Sequence, residues 1–246
     1  MQWWEDIYNR TIYFHLYEET DTKLARTEVE DVIKVLSPHP SARILDLCCG
    51  YGRHSIELAK KGFEVVGVDI SQKQIQRAKE YSVENHVGVT FLMKDARKLP
   101  FANEFDIVLN MFLSFGYFED EKEDTDMLKG VFRALKPKGR FLMDFWNREK
   151  EIREFKPSFF EHHKDISIRK EWEFDALKGR LNWKNTVTFP DGRKESWNHS
   201  IRAYTVAELK KLIEEAGLTV ENVYGSLKGE HYSIDSPAAV VVAKKS

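Results

Sequence analysis

Apolar positions along the chain follow two periods in turn. Short, nearly continuous apolar runs at 43–47, 63–69, 89–93, 105–110 and 140–145 predict five buried strands. Between them apolar residues recur at helical spacing. Leu24, Val29, Val32, Ile33 and Leu36 share one face of a helix predicted at 22–36, which Pro38 and Pro40 end. Further helices are predicted at 54–61, closed by Gly62, at 71–84, opened by a capping box of Ser71 and Gln74, and at 124–135, stopped by "KPKG". Strands that alternate with helices make a parallel sheet covered on both faces.

The tail changes this pattern. A helix at 205–216, opened by "TVAE", precedes strands at 220–227 and 238–243 with no helix between them. A loop that short cannot make a parallel crossover, so these strands pair antiparallel. The predicted fold is α/β: a doubly wound, mostly parallel seven-stranded sheet with an antiparallel last strand. After the fifth strand the period changes again. Ile166, Ile168, Trp172 and Phe174 alternate along the chain, as do Leu181, Trp183, Val187 and Phe189, with "LKGR" and "PDGR" as turns. This predicts a small antiparallel insertion of three or four strands, over 155–204, that roofs a substrate cavity. Residues 1–154 and 205–246 then form the main domain. At its start, Trp4 with Tyr8 and Tyr13 with Tyr17 share helical spacing, as a packed helix or a lid would.

Composition narrows the functions. The net charge of −2 gives no basic field for nucleic acid, and no apolar run is long enough for a bilayer. The first residues do not read as a signal peptide, so the expectation is a soluble, cytoplasmic protein, a monomer or homodimer. Cys48 and Cys49 are adjacent and stand alone, which gives neither a disulfide nor a metal set; His162 and His163 read as solvated.

Chemistry-bearing residues fall at the strand ends, where open α/β sheets bind ligands. Asp46 and a glycine turn end the first strand, Asp69 the second, Lys94-Asp95-Ala96 the third and Asn110 the fourth. Gly50 and Gly52 let backbone approach a ligand, and the helix after them points N–H groups at it. Asp69 suits ribose hydroxyls and Asp95 an exocyclic amine, so an adenosine is expected across the first three strands. Ser55 stands where the third glycine of a dinucleotide fingerprint belongs, which disfavours NAD.

"ILDLCCGYGRH", "VVGVDIS", "KDARKLPF" and "FDIVLNMFLSFGYF" together resemble motifs I, II, the adenine motif and motif IV of class I S-adenosylmethionine (SAM)-dependent methyltransferases of the small-molecule type. The resemblance runs from about Tyr8 to Lys244 and includes the reversed strand pair at the end. It implies a Rossmann-like fold and SAM as cofactor, with S-adenosylhomocysteine (SAH) as product. It puts Asp46, Gly50 and Gly52 at the methionine end of the cofactor, and Asn110 and Met111 beneath it. Asp69 then holds the ribose, Asp95 and Ala96 the adenine, and Ile70 packs on the adenine ring. Tyr13 belongs to the covering N-terminal segment, and Arg26 meets the cofactor's carboxylate. Cys48 departs from the family's usual glycine and reads as a small, half-buried spacer in a turn that needs no positive φ there. The expected acceptor is a small molecule touched by Phe115, Tyr117, Trp146, Asn147, His199, His231 and Tyr232, with Tyr117 and His231 as candidate catalytic groups. A tRNA, rRNA or protein methyltransferase, or a domain that only binds the cofactor, are the alternative readings. Membrane and nucleic-acid partners are not expected.

Overall fold

The computed structural model describes residues 3–163 and 165–246; side chains at 3, 5, 6, 11, 13–15 and 17–21 lie outside the described set. Seven strands form the main sheet: β1 (Arg43–Leu47), β2 (Glu64–Asp69), β3 (Thr90–Met93), β4 (Phe105–Asn110), β5 (Leu135–Trp146), β10 (Leu218–Tyr224) and β11 (Ala238–Lys245). Four more form a smaller sheet: β6 (Ser158–His163), β7 (Ile166–Asp175), β8 (Arg180–Thr188) and β9 (Lys194–Arg202). The helices are α1 (Trp3–Tyr8), α2 (Thr11–Leu36), α3 (Arg53–Lys60), α4 (Gln72–Glu84), α5 (Glu121–Ala134), α6 (Arg148–Arg153) and α7 (Val206–Glu215).

The main sheet runs β10-β11-β5-β4-β1-β2-β3. β1 pairs parallel with both β2 and β4, so the order reverses beside β1 and opens a crevice at the strand tips. β11 is antiparallel to both its neighbours. Side chains alternate across the sheet. Leu45, Leu47, Val68 and Val108 pack with Leu128 and Val131 of α5 and Leu209 and Ile213 of α7. Ile44, Val65, Ile107 and Leu142 pack on the other side with Val29, Val32 and Leu36 of α2. Thr205 and Glu208 make a full capping box; the Ser71 side chain accepts from the Gln74 N–H, while the Gln74 side chain reaches Tyr8 instead.

Two elements differ from expectation. "KPKG" does not separate helix from strand: α5 ends at Ala134 and β5 begins at Leu135, with the proline segment in a break of the β4–β5 register. Proline has no N–H to give a ladder, so it sits where the ladder is interrupted. α2 begins well before the predicted helix. The insertion has four strands, within the expected three or four, with β6 at its edge. Ile7 and Leu16 are buried against Ile168, Val187 and Trp197, so the early helices and the smaller sheet stabilise each other by contacts no local pattern records. The smaller sheet is tied down through the segment after β4: Arg180 donates to the Phe118 carbonyl at 2.8 Å, and the Arg202 N–H to the Gly116 carbonyl at 2.7 Å. No described helix is long and apolar enough to cross a membrane.

Candidate active site

The turn after β1 uses three positive φ angles: Cys48 at 62°, Gly50 at 56° and Gly52 at 79°. This corrects the expectation for Cys48, which does occupy the left-handed region, and as a non-glycine residue carries strain there. Gly50 donates its N–H to Asp69 Oδ2 at 2.9 Å, and Ser71 donates its N–H to Oδ1 at 2.8 Å. Those bonds aim the Asp69 carboxylate across the crevice and leave lone pairs on both oxygens. Burial raises the Asp69 carboxyl above its ordinary range. Asp46 is buried, accepts from the Ser55 hydroxyl at 2.5 Å, and is also raised by burial. At the tip of β3, burial pushes Asp95 up, but the hydrogen bonds and charge of Arg97 outweigh it and hold the carboxyl low.

A cavity of about 470 Å³ runs from these tips to the face of the smaller sheet. Asp46, Cys48, Gly50, Asp69, Ile70, Asp95, Ala96 and Met111 line one half, and Phe115, Tyr117, Trp146 and His199 the other. Gln74 also lines it, with its Oε1 buried and without a hydrogen-bond partner. α1 closes one side: the Tyr8 and Tyr117 hydroxyls lie 2.7 Å apart, and the Tyr8 carbonyl accepts from the Ser71 hydroxyl at 2.9 Å. Trp4 packs edge-on against Phe118 at 5.4 Å.

Other expected contacts lie elsewhere. Gly52 is off the cavity wall, because a Cβ there would sit 2.6 Å from the Phe91 ring; its role is close packing. Asn110 is fully buried and turned away, donating to the Leu47 and Ser114 carbonyls. Asn147 donates to the Ser233 and Ser236 carbonyls, and the Tyr232 hydroxyl donates to Asn147 Oδ1 at 3.0 Å. Both fasten the loop before β11 instead of facing the cavity. His231 is exposed on that loop, beside a separate shallow groove with Tyr224. The Arg26 side chain is 74% exposed and pairs with Glu30, not with the cavity. Tyr13's side chain lies outside the described residues.

Several lining groups went unpredicted. Arg53 and His54 both donate to Glu28 Oε2, at 2.6 and 2.8 Å, and the Arg53 guanidinium lies over the Phe112 ring. Burial pushes Glu28 up, but His54 and then Arg53 overcome it and keep the carboxyl low. Asp144 Oδ2 accepts from the Phe112 N–H and its carbonyl from the Leu113 N–H, holding two further left-handed residues, at φ 56° and 61°. Burial raises Asp144 to about 6. On the roof, His199 Nε2 accepts from the Trp197 indole N–H at 3.0 Å, and burial lowers His199 to about 3, so the ring stays neutral.

The family described as "Methyltransferase domain" matches residues 44–139. YqeM of Bacillus subtilis (strain 168), which carries the name of a methyltransferase, is 31% identical over 211 residues, covering 83% of this chain and 84% of that protein. The chain belongs to the class I SAM-dependent methyltransferases. The CcbJ methyltransferase of Streptomyces caelestis superposes with a TM-score of 0.80 at 20% identity, over 90% of this chain and 96% of that one. SAM-bound CalS10, an amino pentose methyltransferase of Micromonospora echinaspora, gives 0.67 at 18%, over 91% of each. SAM is the methyltransferase's cofactor, and the crevice fits it: a left-handed glycine cradle, an aimed carboxylate with open lone pairs, and an unpartnered buried amide oxygen on Gln74.

Proposed function

We propose that this methyltransferase transfers the SAM methyl group to a small-molecule acceptor held between the strand tips and the smaller sheet. The observation that carries this reading is the single cavity that joins the two halves and is covered by the smaller sheet and α1. Such a chamber suits a molecule that enters whole and ill suits a polymer. The relation in fold to CalS10, named for an amino pentose, agrees with it.

SAM, when bound, supplies a methyl group on a sulfonium sulfur that is already activated for displacement. The chain's task is to hold the nucleophile in line with that methyl and to keep water out. Asp69 takes the ribose hydroxyls on the lone pairs its backbone bonds leave free. Asp95, Ala96 and Ile70 flank the adenine. Gly50, Cys48 and Asp46 line the methionine end, with Met111 beneath. Tyr8 and Tyr117 close the cavity above by their shared hydrogen bond. His199, neutral to about pH 3, serves to position the acceptor and not as a base. Burial raises Glu151, which lines the acceptor half, so its carboxylate is the better proton acceptor there.

Calorimetry with SAH on wild type and Asp69→Ala tests the cofactor placement. SAH binds wild type, and the variant loses about ten-fold or more in affinity, as expected for hydrogen bonds to a charged group. Release of SAH from SAM is then followed with a low-molecular-weight cell extract, with tRNA and with protein. Turnover confined to the first supports the reading; turnover on tRNA or protein alone overturns it.

A further inference from the structure

The smaller sheet turns an unusual face to the cavity. Trp172, Trp183 and His199 stand directly opposite one another on β7, β8 and β9. Trp183 stacks on Trp172 at 5.0 Å and 13°, and on His199 at 4.3 Å and 10°. Phe159 of β6 covers the far side of Trp172 at 6.0 Å. The ring faces are spent on one another, and Trp146 of β5 packs against Trp172 at 6.3 Å and Trp183 at 5.8 Å, so edges more than open faces are left for an occupant. Aromatic edges are electropositive, and cations prefer ring faces. This arrangement is therefore a poor cage for an ammonium group.

The polar groups beside the ladder point the same way. Trp172 Nε1–H has no hydrogen-bond partner, and as an indole it can only donate. Asn185 lines the cavity, is 2% exposed, and has no partner on Oδ1. Its strand neighbour is Lys170, so Asn185 and Trp172 are diagonal neighbours across β7 and β8, roughly 7–8 Å apart along the backbone. One small molecule spans both. Both atoms are buried without a partner, and both residues line the cavity. Lys170 is already paired with Glu161 at 2.7 Å, so the sheet face itself carries no free charge, and Glu151 of α6, the carboxyl in this half of the cavity, is raised by burial toward its neutral form. His199, held neutral, adds none.

We propose that Trp172 and Asn185 anchor the acceptor through a carbonyl oxygen and a neighbouring N–H or O–H, so that the substrate class is uncharged amide-like molecules and not protonated amines. This rests on the reading of the cavity as the acceptor site. The anchor is distinct from the methylated atom, which faces the strand tips.

Benzamide, benzoate and benzylamine share one ring and differ in charge. Each is titrated into the full chain saturated with SAH, with calorimetry and tryptophan fluorescence as readouts. Benzamide binds tightest and quenches the fluorescence, and benzylamine is about ten-fold weaker. Trp172→Phe keeps the stack and removes the N–H; Asn185→Leu keeps the volume and removes the acceptor. Each weakens benzamide about five-fold and leaves SAH affinity unchanged. Tightest binding by a charged probe, or benzamide binding indifferent to both variants, overturns the amide class and leaves the acceptor site standing. Failure of all three probes to bind a chain that still binds SAH overturns the acceptor site as well.

Discussion

Cys48 shows how one residue can serve a turn at a cost. Its φ of 62° is the conformation that glycine adopts freely and an L side chain adopts with strain. Cys48→Gly is expected to stabilise the fold by about 1 kcal/mol, less than the full left-handed penalty because glycine also gains freedom in the unfolded chain. Cys48→Val, branched at Cβ, destabilises instead. Denaturant midpoints of the two variants check both signs; equal shifts in one direction would show that side-chain packing, not φ, decides. Tyr117 offers a second test. Its hydroxyl shares a 2.7 Å hydrogen bond with Tyr8, which joins the segment after β4 to α1. Tyr117→Phe removes that hydrogen bond and keeps the ring, so SAH dissociates about five-fold faster, as measured by stopped-flow.

Between residue and fold, the element scale explains what could be read in advance. β1, β2, β4 and β5 were legible because strands covered on both faces need apolar runs, and their tips carry Asp46, Asp69 and Asn110 where the turns begin. The start of α2 and the strand β6 were not, because contacts with the smaller sheet stabilise α2's first turns and β6 is a half-exposed edge. The site was legible in part for the same reason. Asp69 and Gly50 act through local geometry, while Glu28 and Asp144, distant in sequence, hold the lining residues Arg53, His54 and Phe112 from behind. Asn147 and Tyr232 looked like acceptor contacts by position, yet they meet each other. Gly52 belongs to this scale, since it sets how closely α3 approaches β3. A Cβ there would meet Phe91 at 2.6 Å, in a conformation with φ 79°. Gly52→Ala is expected to cost roughly 2–3 kcal/mol in denaturant unfolding, with Gly50→Ala costing less because its Cβ meets nothing closer than Gln74 at 3.6 Å.

At the scale of the molecule, one buried carboxyl joins three parts of the chain. Asp124 lies in the first turn of α5, fully buried, and its Oδ2 accepts from the Tyr204 hydroxyl at 2.8 Å. Tyr204 follows β9 of the smaller sheet and packs against Phe115 at 5.7 Å, so the contact spans core helix, smaller sheet and cavity wall. Burial raises Asp124 from 3.8 to about 7, against the opposing Tyr204 hydrogen bond; Arg180 lowers it and Glu121 raises it. The folded chain thus holds a proton there that the unfolded chain releases near pH 4. Between those values the folded state binds more protons, so stability falls as pH rises. The contribution is fully present below pH 4 and is lost by about pH 7. Asp144, raised to about 6, acts in the same direction over a narrower window. Asp124→Asn keeps a hydrogen-bond acceptor for Tyr204 and removes the titration. Its unfolding free energy is therefore expected to vary less between pH 4 and pH 7 than that of wild type, with the gap widening in the variant's favour toward pH 7. Urea midpoints taken across that range decide the matter: parallel curves for the two proteins would mean that Asp124 stays ionised in the folded chain and that the joint between the sheets carries a buried charge.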